Sequence, residues 1–198
     1  MNLLKHLYPA IAMTVVLTVL TGLLYPYAVT ALAQVLFREK AQGSLIIRGD
    51  KVIGSRLIGQ PFKGPSYFHS RSSAAGNGYD GMSSGGTNLG PTSKKLIDQM
   101  VKPAAEQSHA ENPNTLVPVD FITTSASGLD PHITPAAAEF QIARVACERG
   151  VAEDEIRRMV RDYSEGRQFG ILGEHRVNVL ELNLALDSAL PKRNFQPQ

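Results

Sequence analysis

Gly81-Met82-Ser83-Ser84-Gly85 spells the G-x-S-x-G pattern of a serine nucleophile, and Asp130 and His132 follow it in the Ser, Asp, His order of an α/β-hydrolase. Such a serine needs a buried strand to deliver it and a helix directly after it, so that the hydroxyl stands on a sharp turn. Here Gly76-Asn77-Gly78-Tyr79-Asp80 precedes it, a poor strand, and only Pro131 separates Asp130 from His132. The pattern weighs towards coincidence. A membrane-anchored extracytoplasmic serine hydrolase built on Ser83, Asp130 and His132 is the alternative reading.

A second segment, Ser84-Gly85-Gly86-Thr87-Asn88 followed by Leu89-Gly90-Pro91, has the paired glycines that let backbone N–H groups approach an anion. Phosphate contact is its sharp reading. The plainer one is a Gly-rich turn in which Asn88 bonds its own backbone, and the lack of a P-loop lysine favours it. Ser125-Ala126-Ser127-Gly128-Leu129-Asp130-Pro131-His132 gathers hydroxyls, a carboxyl and an imidazole, but a lone His at a turn more often bonds backbone than moves protons. His6, His69, His109, His132 and His175 show no metal-ligand spacing, so no metal site is expected.

Twenty basic and 18 acidic residues leave a net charge of +2 without a dense Lys/Arg block, which argues against nucleic acid as a partner. Cys147, the sole cysteine, has no partner for an internal disulfide and is expected as a small packed side chain.

From Leu7 to Phe37 no residue is charged. Tyr8 on one side and Tyr25 and Tyr27 on the other bracket the most apolar part, as aromatic rings do at headgroup level. At ~1.5 Å per residue the Tyr8 to Tyr25 stretch covers roughly 26 Å, enough for one pass. A single transmembrane helix over about 8–30 is therefore expected, inside an N-terminal region 1–33 and ahead of a soluble domain at 34–198. The rival is a cleaved secretory signal, with Lys5 as its positive start and Ala31-Leu32-Ala33 as its cut; the apolar run outlasts a usual signal core of ~7–15 residues, so an uncleaved anchor is preferred. Lys5 stands against Arg38, Lys40, Arg48 and Lys51, a count that would keep the large domain in the cytoplasm, although long domains translocate regardless. Thr14, Thr18 and Gly22 lie four apart and form a small-residue stripe suited to helix packing in lipid, unless each Thr merely bonds its own preceding turn.

Beyond the anchor, Ser44–Ile47 and Val52–Ile58 read as a hairpin across Arg48-Gly49-Asp50-Lys51. A Gly/Ser/Pro-rich loop at 60–91 has no period, yet its aromatics Phe62, Tyr67, Phe68 and Tyr79 argue that it packs on something. Leu96, Ile97, Met100, Val101 and Ala104 make a helical stripe that Pro103 should disturb, ended by Asn112-Pro113-Asn114. Leu116 to Ile122 reads as a strand. Thr134-Pro135 opens a helix that buries Ala138, Ile142 and Val145 and stops at Gly150; a second runs from Glu153 with Ile156, Met159, Val160 and Tyr163 inward until Gly166. In the tail, a strand near Arg176–Asn178 passing into a helix capped by Asn178 is preferred over a strand through the alternating leucines 180–186.

Leu24-Tyr25-Pro26, Gly59-Gln60-Pro61-Phe62, Tyr67-Phe68-His69-Ser70-Arg71, Ser84 to Leu89, Ser125 to Asp130, Gln141 to Ala146 and Asn178 to Asp187 occur in that order, and together they closely resemble the C subunit of the Kdp-type potassium-transporting ATPase of bacteria. Ser72 and Thr87 depart from that pattern, where proline and serine are expected. The resemblance implies an inner-membrane complex with a channel-like potassium-translocating subunit, a P-type ATPase subunit and a very small membrane subunit. This chain lacks an Asp-Lys-Thr-Gly-Thr motif, a potassium-filter loop and a Walker A sequence, so it is expected to be non-catalytic. Two roles come with the resemblance. One is a catalytic chaperone that raises ATP affinity, with Ser84, Gly85, Gly86, Thr87 and Asn88 likened to a nucleotide-contacting signature. The other is an assembly and stabilising subunit whose domain lies outside the cytoplasm. The expectation is an α+β protein, one N-terminal transmembrane helix followed by one mixed soluble domain, serving as an accessory subunit of a potassium pump.

Overall fold

The computed structural model describes residues 3–111 and 116–190, and the chain divides into two compact units, Met1–Ser55 and Arg56–Gln198. In the first, helix α1 (Leu3–Val19) passes through one wide π-turn, Leu20–Leu24, into α2 (Tyr25–Leu36). Pro26 explains the turn. It has no N–H for the carbonyl four residues back and its ring crowds that position, so the helix loosens just ahead of it, and the Tyr25 N–H reaches five residues back to Leu20 O. The helical stretch Lys5–Leu36 is, among the described residues, the one long and apolar enough to cross a membrane, and none of its most apolar window is buried within the chain. Its 32 residues span about 48 Å, well beyond a ~30 Å hydrocarbon core, which leaves length for tilt or for protrusion past the interface. A short helix α3 (Arg38–Ala41) then leads to the hairpin β1 (Leu45–Arg48) and β2 (Lys51–Ser55). The register shifts between Ile46 and Ile47, so a bulge bends the ladder. The second strand ends at Ser55, not at Ile58 as the sequence suggested.

The second unit begins with irregular chain, as expected for 60–91, where a parallel bridge from Ser72 to Thr124 is the one strand-like pairing among the described residues. Helix α4 (Lys94–Leu96) widens into a second π-turn, Ile97–Val101, before α5 (Lys102–Glu111). The offset repeats: the π-turn again ends two residues before a proline, here Pro103, and the Lys102 N–H again reaches five back, to Ile97 O. The expected stop at Asn112-Pro113-Asn114 lies outside the described residues. The expected strand 116–122 is not formed. Pro118, extended at ψ 144°, instead heads a single helical turn α6 (Val119–Ile122), and Asp120 on that turn is buried by the ionic contacts described below.

A small antiparallel sheet follows, built from β3 (His132–Ile133), β4 (Ser164–Glu165) and β5 (Arg176–Asn178) with β5 in the centre. Helices α7 (Pro135–Arg149), α8 (Glu153–Asp162) and α9 (Val179–Ala189) supply most of the core. Thr134 caps α7 by accepting the Ala137 N–H at 3.2 Å, with Pro135 as its first helical residue. Gly150, at φ 66°, closes it: its N–H bonds Cys147 O and the next N–H, from Val151, bonds Ala146 O, the paired pattern of a Schellman stop. Asn178 accepts the Glu181 N–H at 3.2 Å and so starts α9, which settles the leucine alternation as helical; Leu180, Leu182 and Leu186 are all buried. Phe68, Ile142, Val145, Ile156, Val177 and Leu182 meet in one cluster. Two side chains differ from expectation. Cys147 is exposed, because it lies on the solvent side of α7 between the buried Ala146 and Arg149. Tyr163 is 39 % exposed, since α8 has already ended at Asp162, ahead of Gly166.

Candidate functional site

The extended run Tyr67 to Arg71 is where the two strongest polar constructions of the second unit meet. Phe68, wholly buried, donates its N–H to Asn183 Oδ1 and accepts from Asn183 Nδ2, both at 2.9 Å. The next residue repeats the arrangement: His69 N–H bonds Gln141 Oε1 at 2.7 Å, and Gln141 Nε2 returns to His69 O at 3.1 Å. Two helix-borne amides thus take the place of a neighbouring strand. Arg149, whose side chain is fully buried, donates to Ser66 O, to Leu190 O and to Asp187, and its guanidinium lies 5.3 Å from the Tyr67 ring centre. Arg144 adds bonds to the carbonyls of Pro65 and Tyr67. None of these four clamps stood out as functional in the sequence. Their signal was an amide or a guanidinium set in an apolar helical stripe, where burial without partners would be costly.

Arg71 ends this strap and ties three loops together. Its Nη2 lies 2.8 Å from Asp130 Oδ2 and its Nε 3.3 Å from Asp120 Oδ1, while its carbonyl accepts the Tyr79 hydroxyl. Asp120, 2 % exposed, also accepts the N–H and the hydroxyl of Thr134, so the same carboxylate joins the α6 turn to the start of α7. Asp130 Oδ1 accepts the His132 N–H at 2.9 Å and lies 3.3 Å from His132 Nδ1. Burial pushes the Asp130 carboxyl up, but the hydrogen bonds from the His132 ring and backbone and the charge of Arg71 outweigh it and hold it below the ordinary value. The Tyr79 hydroxyl is raised, mainly by burial, with the nearby Ser70 side chain opposing and the Asp130 charge adding to it. An open cleft of about 690 Å³ lies over this cluster, lined by Leu57, Ile58, Arg71, Ser125, Asp130 and His132 among others.

Of the proposed triad, Asp130 and His132 are together and Ser83 is not with them. Ser83 sits in a turn, its N–H on Asp80 O at 3.1 Å, and residues 81–85 have neither the strand before nor the helix after that an elbow requires. The Ser84–Asn88 segment lies along 124–127. Ser84 Oγ and the Gly85 N–H both donate to Ser127 O, at 2.9 and 3.0 Å, and Thr87 Oγ1 is 3.5 Å from Thr124 Oγ1. A Cβ on Gly86 would stand 2.9 Å from Ala126 O, so its missing side chain is used for backbone contact between loops. In the first unit the Thr14 hydroxyl donates to Ala10 O at 2.9 Å, and Gly22 has Thr18 Cγ2 as its nearest neighbour, 4.0 Å from a built Cβ. Among the described residues, no group of three or more His, Cys, Asp or Glu gathers that could hold a metal.

The sequence matches the KdpC family, described as the c chain of the K+-transporting ATPase, over residues 7–188. The chain belongs to this family. A KdpC subunit of a potassium-transporting ATPase from Koribacter versatilis is 60 % identical over 187 residues, covering 94 % of this chain and 96 % of the relative. Counterparts with the same name from Rhodopseudomonas palustris (strain BisB18) and Acidobacterium capsulatum are 53 % and 54 % identical, covering 94 % and 93 % of this chain and 100 % and 98 % of the relatives. The matched span takes in the Tyr67–Arg71 strap, the Ser84–Asn88 loop and the apolar helix from Leu7 onward.

Proposed function

We propose that this chain is the accessory subunit of a bacterial, ATP-driven potassium-uptake complex, assisting its assembly and stability and performing neither transport nor hydrolysis by itself. One observation carries the reading: a KdpC-family chain presents a helix of 32 residues, apolar and with none of its most apolar window covered by its own chain, whose natural cover is lipid and other membrane helices. Its partners on this reading are the channel-like potassium-translocating subunit, the P-type ATPase subunit and the small membrane subunit. The stripe Thr14, Thr18 and Gly22 is the face offered to a partner helix.

Lys5 ahead of the apolar run, the order of an export signal that remains as an anchor, supports an inner-membrane protein with its larger unit outside the cytoplasm. On that side it meets no cytoplasmic ATP. Its effect on ATP affinity then runs through the state of the whole complex, where a coupling of ~1.4 kcal/mol is worth about tenfold. Support comes from the Ser84–Asn88 loop, whose Gly85 N–H and Gly86 face are engaged by 126–127. The test is purification of the tagged full-length chain in mild detergent, with protease added to intact spheroplasts. Recovery of the three partners and digestion from outside are expected; recovery of the chain alone, or full protection, overturns assembly or orientation respectively.

A further inference from the structure

The segment between β4 and β5 ends in a tight apolar tip. Phe169 is 91 % exposed, Ile171 76 % and Leu172 55 %. The tip is not loose chain. Gln168 and Leu172 exchange both backbone hydrogen bonds, at 2.8 and 2.9 Å, and the Ile171 N–H closes a turn on Gln168 O at 3.2 Å. Both central residues of that turn have positive φ, 54° at Phe169 and 78° at Gly170, the hairpin form that favours Asn-Gly. A phenylalanine there is held in a left-handed backbone that bulky residues avoid, and its ring gains nothing from its own chain. Backbone strain at a position that contributes no packing points to a role outside the chain.

We propose that the tip Phe169-Gly170-Ile171-Leu172 is a preformed plug that seats in an apolar pocket on the extramembrane surface of a protein subunit of the same complex, an inference that rests on the assembly reading above. The charges beneath it argue against a lipid surface. Arg167 pairs with Glu174 at 2.7 Å and Arg176 with Glu165 at 2.7 Å, so the stem carries no unpaired basic collar of the kind that holds a segment to anionic headgroups. Size argues against a second copy as sole partner. Three side chains fall well short of the ~800 Å² per side of a stable interface. They suffice as a second contact for a chain already tethered by its anchor, because tethering makes that contact effectively intramolecular. A rigid aromatic flanked by branched aliphatics, presented without further ordering cost, is the chemistry of an interface anchor.

The test uses the full-length chain in native membranes with p-benzoylphenylalanine in place of Phe169. On irradiation, an adduct with the channel-like or the ATPase subunit is expected. An adduct with lipid alone, with a second copy alone, or none at all overturns the plug, provided the unaltered chain still co-purifies with those subunits. If the unaltered chain recovers no such subunit, the assembly reading falls and the plug with it. A second variant separates binding from folding: Phe169→Gly relieves the positive φ, so its melting temperature should stay level or rise while the partner subunits retained through a detergent wash fall about tenfold. Equal retention overturns the proposal.

Discussion

The side-chain amide of Asn183 pairs with both backbone polar groups of Phe68, and Phe68 itself is wholly buried. An extended segment inside a core must find partners for its N–H and C=O groups, and in most folds a neighbouring strand supplies them. Here α9 supplies one amide and α7 the next, at His69 through Gln141. A loop without regular structure thereby delivers an aromatic to the centre of the domain.

Replacing Asn183 by Leu keeps the volume and orphans both groups of Phe68. At ~1–3 kcal/mol for each, the expected loss is about 4 kcal/mol, read from urea unfolding of the variant. Gln141→Leu should cost somewhat less, because His69 is half-buried. The double variant should cost clearly less than the sum, since once either clamp is gone the strap has already lifted.

This strap also marks what the sequence made legible. The capped helices α7 and α9 were readable from Thr134-Pro135, Gly150 and Asn178, because caps are local chemistry. The apolar N-terminal helix was readable because a long uncharged run is itself a local signal. The π-turns were half-readable: Pro26 and Pro103 announced a disturbance, but its form as a widened turn depends on how the helix continues beyond them. The 116–122 segment misled because its β-prone residues are overruled by Asp120, whose Arg71 and Thr134 partners lie outside the segment, Arg71 far away in the chain. For the site, Asp130 and His132 were visible as neighbours, whereas Arg71 appeared only inside a resemblance motif, since nothing local shows that one guanidinium meets two distant carboxylates.

Gly128 joins two loops at a distance no side chain permits. It has φ 67°, and a Cβ there would stand 2.7 Å from both Ala75 N and Gly85 O. Gly128→Ala should therefore destabilise by about 3 kcal/mol, through strain and forced separation of backbones, and speed proteolysis within 73–88. Gly85→Ala is the contrast, because its Cβ meets nothing within 4 Å and should change stability by less than ~0.5 kcal/mol. Equal melting temperatures for the two variants would contradict this.

Burial works to raise the Asp130 carboxyl, yet His132 and Arg71 hold it low. A depressed folded pKa means stability that is fully present above the unfolded value of ~3.9 and lost as pH falls through the folded one. Stability of the full-length chain should thus decline below about pH 4, and Asp130→Asn should flatten that decline while lowering stability at pH 7. Tyr79 acts at the other end: its raised pKa favours the neutral phenol, so its variant to Phe should soften the loss of stability that begins above pH ~10. Chemical unfolding at a series of pH values checks both signs.

Gly22 gives the cleanest test of the proposed helix partner. A Cβ built on it meets nothing nearer than Thr18 Cγ2 at 4.0 Å, so the chain alone has room for a larger side chain, and leucine is a better helix former than glycine. Gly22→Leu should leave expression and melting of the chain unchanged or slightly improved. Any harm must then come from outside the chain, from a helix that approaches Gly22 closely in the bilayer. Recovery of the partner subunits with the tagged variant is expected to fall about tenfold, a coupling of ~1.4 kcal/mol. Thr14→Leu, which removes a hydroxyl that bonds Ala10 O in its own helix, should follow the same direction if its face is shared with Gly22. If both variants recover the partners as the unaltered chain does, the small-residue stripe is not the contact and the helix meets its neighbours through another face.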